Sequence, residues 1–324
     1  MSEKSIQHPN VSVAMITYNQ EPFIAKAIEG VLDQQTDFSV KLVIGEDFST
    51  DKTREICLSY QEKFPDKVKV LKRKGNLGMM RNFVDTLQSC QGEFIALCEG
   101  DDYWTDPHKL QKQIDFLESN PDFSICFHPV KIIYEDENQK TKTTNIDQAV
   151  VTTFENLALD NYIHTVSCVF RNNSLTYPEW FYKMPAGDYV LHLLNAEHGK
   201  IGFINDVMAV YRVHKGGAWS MKELAELYAK WIPLVKQCRE HFYPRGETEF
   251  TKQLANSYKQ LCFAYFDAGR YKDFLESFQE CAPLMNHLET RVRLSLNIRY
   301  FLSCAPRFAD LYKNAVTSLR AGKA

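Results

Sequence analysis

Along the first hundred residues the apolar positions alternate between two spacings. Residues 11–16 (VSVAMI) form a short run of strand formers. Pro22 then opens a 3.6-residue pattern through Ile24, Ala27, Ile28, Val31 and Leu32. The alternation continues with a strand at 40–44, a helix at 53–64, a strand at 68–71, a helix at 79–89 and a strand (FIALC) at 94–98. Strand–helix alternation predicts an α/β fold, a parallel sheet with helices on both faces. Further along, the pattern predicts a helix at 109–119, strands at 123–130, 165–171 and 201–211, and a helix at 188–197. Residues 134–148 are polar and predict a loop or hairpin. After Gly216 and Gly217 the period is helical from 221 to 282, so a boundary is placed near residue 218. That gives an α/β domain over 1–218 and a helical region over 219–324. Residues 254–278 resemble one tetratricopeptide-type helical hairpin, too few units for a solenoid.

Composition narrows the class. The 324 residues carry a net charge of -3, which does not suggest a nucleic-acid binder. Nine cysteines without a CxxC pair indicate reduced thiols rather than a disulfide framework or zinc site. No secretory apolar segment and no spanning run is present, which leads to the expectation of a cytoplasmic protein. The charge is uneven, because residues 291–324 carry seven basic side chains against Asp310 alone. With Leu294, Ile298, Phe301 and Leu302 among them, that tail is expected to contact acidic lipid at the inner membrane, or to pack or dimerise.

In open α/β sheets ligands bind beyond the carboxyl ends of the strands, which directs attention to three loops. After the fourth strand stand Glu99, Gly100, Asp101 and Asp102. Three carboxylates in four residues repel one another, and oxygen ligands suit Mg²⁺ or Mn²⁺, although a solvated acidic turn has the same composition. After the second strand comes Glu46-Asp47-Phe48-Ser49-Thr50-Asp51, where Asp47 can accept from a base N–H and Asp51 can cap a helix. After the first come Thr17, Tyr18 and Asn19, with a tyrosine able to stack on a base.

In order and spacing, VSVAMITYNQEPFIAKAIEGVLDQQ, VIGEDFSTDKTREI, NLGMMRNF and GEFIALCEGDDYW resemble the successive blocks of family 2 (GT-A type) glycosyltransferases over residues 11–104, with weaker blocks to about 220. The resemblance implies a Rossmann-like domain with a nucleotide half and an acceptor half, and inverting transfer from a nucleotide sugar, UDP favoured, to a hydroxyl of a glycan or lipid-linked acceptor. It implies that Thr17 and Tyr18, with Asn19 and Glu21 of the same turn, and Asp47 meet the nucleoside. Asn76, Gly78 and Arg81 match a block near ribose and diphosphate. Asp101 matches a ribose contact, Asp102 the metal ligand, and Glu99 the first place of the longer acidic motif. Asp188 matches the catalytic base, with Gly187 where a second acid is usual. Arg212 matches a phosphate contact and His214 a further metal ligand. Phe48 stands where Gly or Asn is common. A nucleotidyltransferase would want a Gly-rich basic loop after the first strand, which reads Thr17-Tyr18-Asn19-Gln20-Glu21-Pro22 instead. A non-enzymatic adaptor built on the C-terminal helices is the other alternative, and the intact acidic cluster argues against it.

Overall fold

The computed structural model describes residues 11–135, 139–144, 147–217 and 223–305. It divides into two compact units, Met1–Leu157 with Asn161–Ser220 and Ala158–Asp160 with Met221–Ala324. The proposed boundary near 218 and the tail beyond 305 lie outside the described residues.

In the first unit the strands are β1 (Val11–Thr17), β2 (Val40–Glu46), β3 (Val68–Val70), β4 (Phe94–Leu97), β5 (Tyr103–Trp104), β6 (Phe123–Phe127), β7 (Val130–Tyr134), β8 (Lys142–Thr143), β9 (Val151–Thr152), β10 (Val169–Arg171), β11 (Lys200–Phe203) and β12 (Ala209–Val213). The helices are α1 (Ile24–Leu32), α2 (Thr53–Lys63), α3 (Met79–Gln88), α4 (Lys109–Ser119), α5 (Phe154–Leu159, whose last two residues are counted with the second unit) and α6 (Gly187–Ala196). One sheet runs β3-β2-β1-β4-β10-β6-β11-β9 and a smaller one β5-β12-β7-β8. In the large sheet β3, β2, β1 and β4 are mutually parallel, β10 runs against β4 and β6, and β11 is parallel to β6. β1 is buried on both faces because helices cover both, which explains its unbroken apolar run. Helix α1 buries Ile24, Ala27, Ile28 and Val31, the stripe its period foretold.

Three strand expectations are corrected. The run 123–130 is two strands in different sheets, β6 and β7, parted at His128 and Pro129. The run 201–211 is likewise β11 and β12. The run 165–171 opens with a 3-10 turn, Thr165–Ser167, and only then becomes β10. Apolar runs report burial, and they do not report which sheet does the burying. Residues 142–143 pair antiparallel with β7, as a hairpin would.

The second unit contains α7 (Leu224–Phe242), α8 (Glu247–Asp267), α9 (Tyr271–Cys281) and α10 (Thr290–Ser303). Helix α8 ends with Gly269 at φ 74, a left-handed stop that turns the chain into α9. Ring pairs hold the stack, Phe266 with Phe274 at 5.7 Å and Phe278 with Tyr300 at 4.6 Å. Among the described residues no helix is long and apolar enough to cross a membrane, and all nine cysteines are free.

Gly45 in β2 is demanded by close approach. A Cβ there would lie 2.0 Å from Thr86 Oγ1 and 2.7 Å from Asn82 Oδ1, and Asn82 Nδ2 donates to the Gly45 carbonyl at 2.6 Å. Gly45→Ala is expected to lower the unfolding free energy by about 1–3 kcal/mol, the cost of overpacking, as read from urea denaturation.

Candidate active site

β1, β2 and β4 all point their carboxyl ends to one edge, and the chain leaves β1 toward β2 on one side and reaches β4 on the other. This is a topological switch point, where such sheets open a crevice. Two loops build its first wall. Asn19 N–H donates to Ser49 Oγ at 3.0 Å, and Thr50 N–H to Asn19 Oδ1 at 2.8 Å. Glu21 N–H donates to Asp51 Oδ2 at 3.1 Å, and Lys52 N–H to Glu21 Oε2 at 3.2 Å. The side chains of Asn19 and Glu21 thus tie the β1 loop to the β2 loop. Asp51 also accepts from Thr53 N–H at 3.0 Å, a cap to α2. Tyr18 and Phe48 stay 46% and 41% exposed, on loops that follow paired strand ends. Phe48 sits at φ 62, where glycine or asparagine is comfortable and phenylalanine is strained.

Asp47 is buried, and its two carboxylate oxygens accept from Leu77 N–H at 2.7 Å and Gly78 N–H at 3.0 Å. Its carbonyl accepts from Asn76 Nδ2 at 2.9 Å. Asp47 and Asn76 therefore shape one loop ahead of α3. Arg81 projects from the exposed face of α3 into a groove of about 560 Å³ shared with Lys72, Lys74 and Tyr182. No described hydrogen bond or ion pair joins Arg81 to the acidic residues.

The second wall begins at Gly100. Its N–H donates to the Ile16 carbonyl at 3.0 Å, and a Cβ would meet Thr17 Oγ1 at 2.7 Å and Gln20 Oε1 at 2.5 Å. Only glycine lets the acidic loop lie against the end of β1. Around it, ligand atoms of Glu99, Asp101 and Asp102 lie within 4.8 Å of one another. Asp102 is 1% exposed. Its Oδ1 accepts from Arg212 N–H at 2.8 Å, whereas its Oδ2 is buried without a partner. Asp101 Oδ2 meets His214 Nε2 at 3.0 Å, and Arg212 Nη1 donates to the Asp101 carbonyl at 2.6 Å. The Arg212 guanidinium lies over Tyr103 at 4.5 Å and Phe23 at 5.0 Å. Burial, then the charge of Asp101, then that of Glu99 hold Asp102 well above the usual carboxylate range. Burial followed by Asp101 and Asp188 raises Glu99 in the same way. A buried, unpartnered carboxylate oxygen in a mutually repelling triad fits a hard divalent cation. His214 stands just outside the triad, engaged with Asp101.

Asp188 lies in the first turn of α6, with Ala186 at the N-cap position. Gly187 before it is a packing point, since a Cβ there would lie 2.7 Å from Met80 Cε and 2.9 Å from Phe83 Cδ1 of α3. Asp188 Oδ2 accepts from Thr165 Oγ1 at 3.2 Å, and burial raises its carboxyl against the opposing hydrogen bonds. The charge of Asp188 acts on Glu99, so the base candidate and the acidic triad share one neighbourhood. Tyr211 feels the charges of Asp102, Glu99, Asp101 and Asp188 together. Sequence reasoning singled out neither Thr165 nor Tyr211. Tyr211 adjoins Arg212 and could have been found there, while nothing in a run that reads as strand marks Thr165.

Residues 12–176 match the family described as Glycosyl transferase family 2. The uncharacterized protein Rv1520 of Mycobacterium tuberculosis is 38% identical over 209 residues, 64% of this chain and 60% of that protein. The match thus spans about 60% of the length of that relative. Among solved structures, S. aureus TarS 1-349 in complex with UDP-GlcNAc aligns with a TM-score of 0.61 at 17% identity, covering 97% of this chain and 92% of that one. The mannosyltransferase PcManGT from Pyrobaculum calidifontis, in complex with GDP-Man and Mn²⁺, aligns at 0.55 and 17% identity, covering 93% and 87%. At these identities the likeness is one of fold.

Raised carboxyls hold protons that a metal must displace, so metal binding should strengthen with pH. Thermal unfolding is expected to show a Mn²⁺-induced rise in Tm that is larger at about pH 8 than at about pH 6. In the Asp102→Asn protein that rise should vanish, and without metal at about pH 8 the variant should be no less stable than the parent, because a buried like charge is gone.

Proposed function

The chain belongs to glycosyl transferase family 2, and we propose that it transfers a sugar from a nucleotide diphosphate donor, a UDP-sugar in the first instance, to a hydroxyl of a glycan or lipid-linked acceptor. The observation that carries this reading is the cluster of Glu99, Asp101 and the buried Asp102 at the switch point, with the unpartnered Asp102 Oδ2 in it and Asp188 beside it. The UDP-GlcNAc bound by TarS and the GDP-Man and Mn²⁺ bound by PcManGT, both of this fold, support the class of donor and the cation.

Asp102, with Glu99 and Asp101 around it, would hold Mn²⁺ or Mg²⁺, and His214 orients Asp101. Such an ion supplies charge to the leaving diphosphate when bound. Tyr18 and Phe48 offer rings to the nucleobase on a wall whose shape Asn19, Glu21 and Asp47 maintain. Arg212, held between two rings, keeps a guanidinium charge beside the Asp101 ribose contact and the diphosphate.

Asp188 accepts the proton of the acceptor hydroxyl as its oxygen bonds to the anomeric carbon. The bond from that carbon to the donor phosphate oxygen breaks, and the nucleoside diphosphate departs with the electron pair. One in-line displacement inverts the anomeric centre. Burial moves the Asp188 carboxyl upward toward the working pH, which suits a general base. In the second unit, α10 leaves Leu294, Ile298 and Phe301 exposed on a helix that also carries Arg291 and Arg293. That face supports contact with an acidic lipid surface, where a lipid-linked acceptor would be found.

Two experiments test these statements. Asp188→Asn is expected to retain UDP-sugar binding by calorimetry and to lose transfer by about 10²–10⁴-fold. Wild-type transfer rates in that variant remove the base assignment. Flotation with anionic vesicles should weaken when Leu294, Ile298 and Phe301 are all replaced by serine, and unchanged flotation would remove the lipid contact.

A further inference from the structure

The turn that carries Thr165 is tied on several sides. Trp104 Nε1 donates to the Val166 carbonyl at 3.0 Å, and Gln113 Nε2 to the Ser167 carbonyl at 2.9 Å. Ser167 Oγ donates to the His164 carbonyl at 2.7 Å. Gln113 is fixed in turn by the buried Lys109, whose ammonium donates to Gln113 Oε1 at 2.7 Å and lies 4.2 Å from the Trp104 ring centroid. His164 packs edge-on against Tyr211 at 5.4 Å. Trp104 and Lys109 follow closely on the acidic loop, so the segment that bears the triad also anchors this turn.

The Thr165 side chain is buried by its surroundings, and its hydroxyl donates to Asp188 Oδ2 at 3.2 Å. A hydroxyl has one proton to give, and here Asp188 receives it. An aspartate carboxylate has a broad terminal torsion and does not orient itself. Nothing else described fixes Asp188 from across the crevice, because its remaining bonds are to backbone N–H groups of its own turn.

We infer that Thr165 is the positioning residue for the base. Its hydroxyl holds Asp188 Oδ2, which leaves Oδ1 to face the acceptor hydroxyl. The inference rests on Asp188 being the base. A base displaced by about 1 Å loses up to about a hundredfold in rate, so the effect should appear in turnover and not in donor binding.

The test compares Thr165→Val, which keeps shape and removes the hydroxyl, with Thr165→Ser, which restores it. Two readouts are used. In the first, carbon-13 NMR follows the Asp188 carboxyl, which faces Glu99 and Tyr211 as its other titrating neighbours. Loss of a hydrogen bond to the charged form should move its titration upward in Thr165→Val and return it in Thr165→Ser. In the second, hydrolysis of UDP-N-acetylglucosamine, UDP-glucose and GDP-mannose with Mn²⁺ is measured, with water as the acceptor. For the donors turned over by the wild type, kcat is expected to fall about tenfold to a hundredfold in Thr165→Val with donor KM within about twofold, and to recover in Thr165→Ser. An unmoved Asp188 titration in Thr165→Val overturns the inference, as does an unchanged kcat. A serine variant no better than valine does the same. Asp188→Asn run in parallel separates the two readings. Full turnover there overturns the base assignment itself, whereas lost turnover there with an unaffected Thr165→Val overturns only the role of Thr165.

Discussion

Like charge held in a confined place is the constraint on which the first unit turns. Glu99, Asp101 and Asp102 cannot relax away from one another, because Gly100 is pinned to the end of β1 and Asp102 is sealed from water. The surrounding structure compensates in part. A backbone N–H from β12, the Arg212 guanidinium and the His214 ring each meet one member of the group. They leave Asp102 Oδ2 without a partner and two carboxyls shifted upward. A site so arranged favours a cation and an anionic leaving group together, which is the requirement of transfer from a nucleotide sugar.

The smaller sheet owes its place to that constraint. β5 follows directly on the acidic loop and pairs with β12, so the two segments that must face each other are joined by backbone hydrogen bonds. Arg212 in β12 and His214 just past its end therefore reach the acids from more than a hundred residues later in the chain. On the opposite wall the polar side chains serve construction. Asn19, Glu21 and Asp47 spend their oxygens on neighbouring N–H groups, and the rings of Tyr18 and Phe48 beside them stay exposed, with the Arg54 guanidinium over Phe48 at 5.0 Å. Phe48 carries a left-handed backbone there, so the place where Gly or Asn is common in the family is strained here for a large ring.

Sequence reasoning picked residues by their chemistry toward a ligand, and the structure shows the protein contacts in which several of them stand. Asp47 and Asn76 were joined as parts of a nucleotide site, and they are also joined to each other as a loop. His214 was expected at the metal, and its ring meets Asp101. Thr165 was passed over because a threonine in an apolar run looks like strand, and its meaning appears only when β4 and α6 are brought to either side of it.

By itself the sequence determined the alternation of strands and helices, the carboxyl-end crevice and the acidic cluster. Those follow from periodicity, connectivity and local charge, which are properties of neighbours in the chain. The tertiary structure decided which sheet each apolar run joins, which carboxylate oxygen lacks a partner, and which hydroxyl holds Asp188. Those depend on contacts between residues as far apart as Asp102 and Arg212, whose geometry is set by packing across the whole unit and by no local pattern.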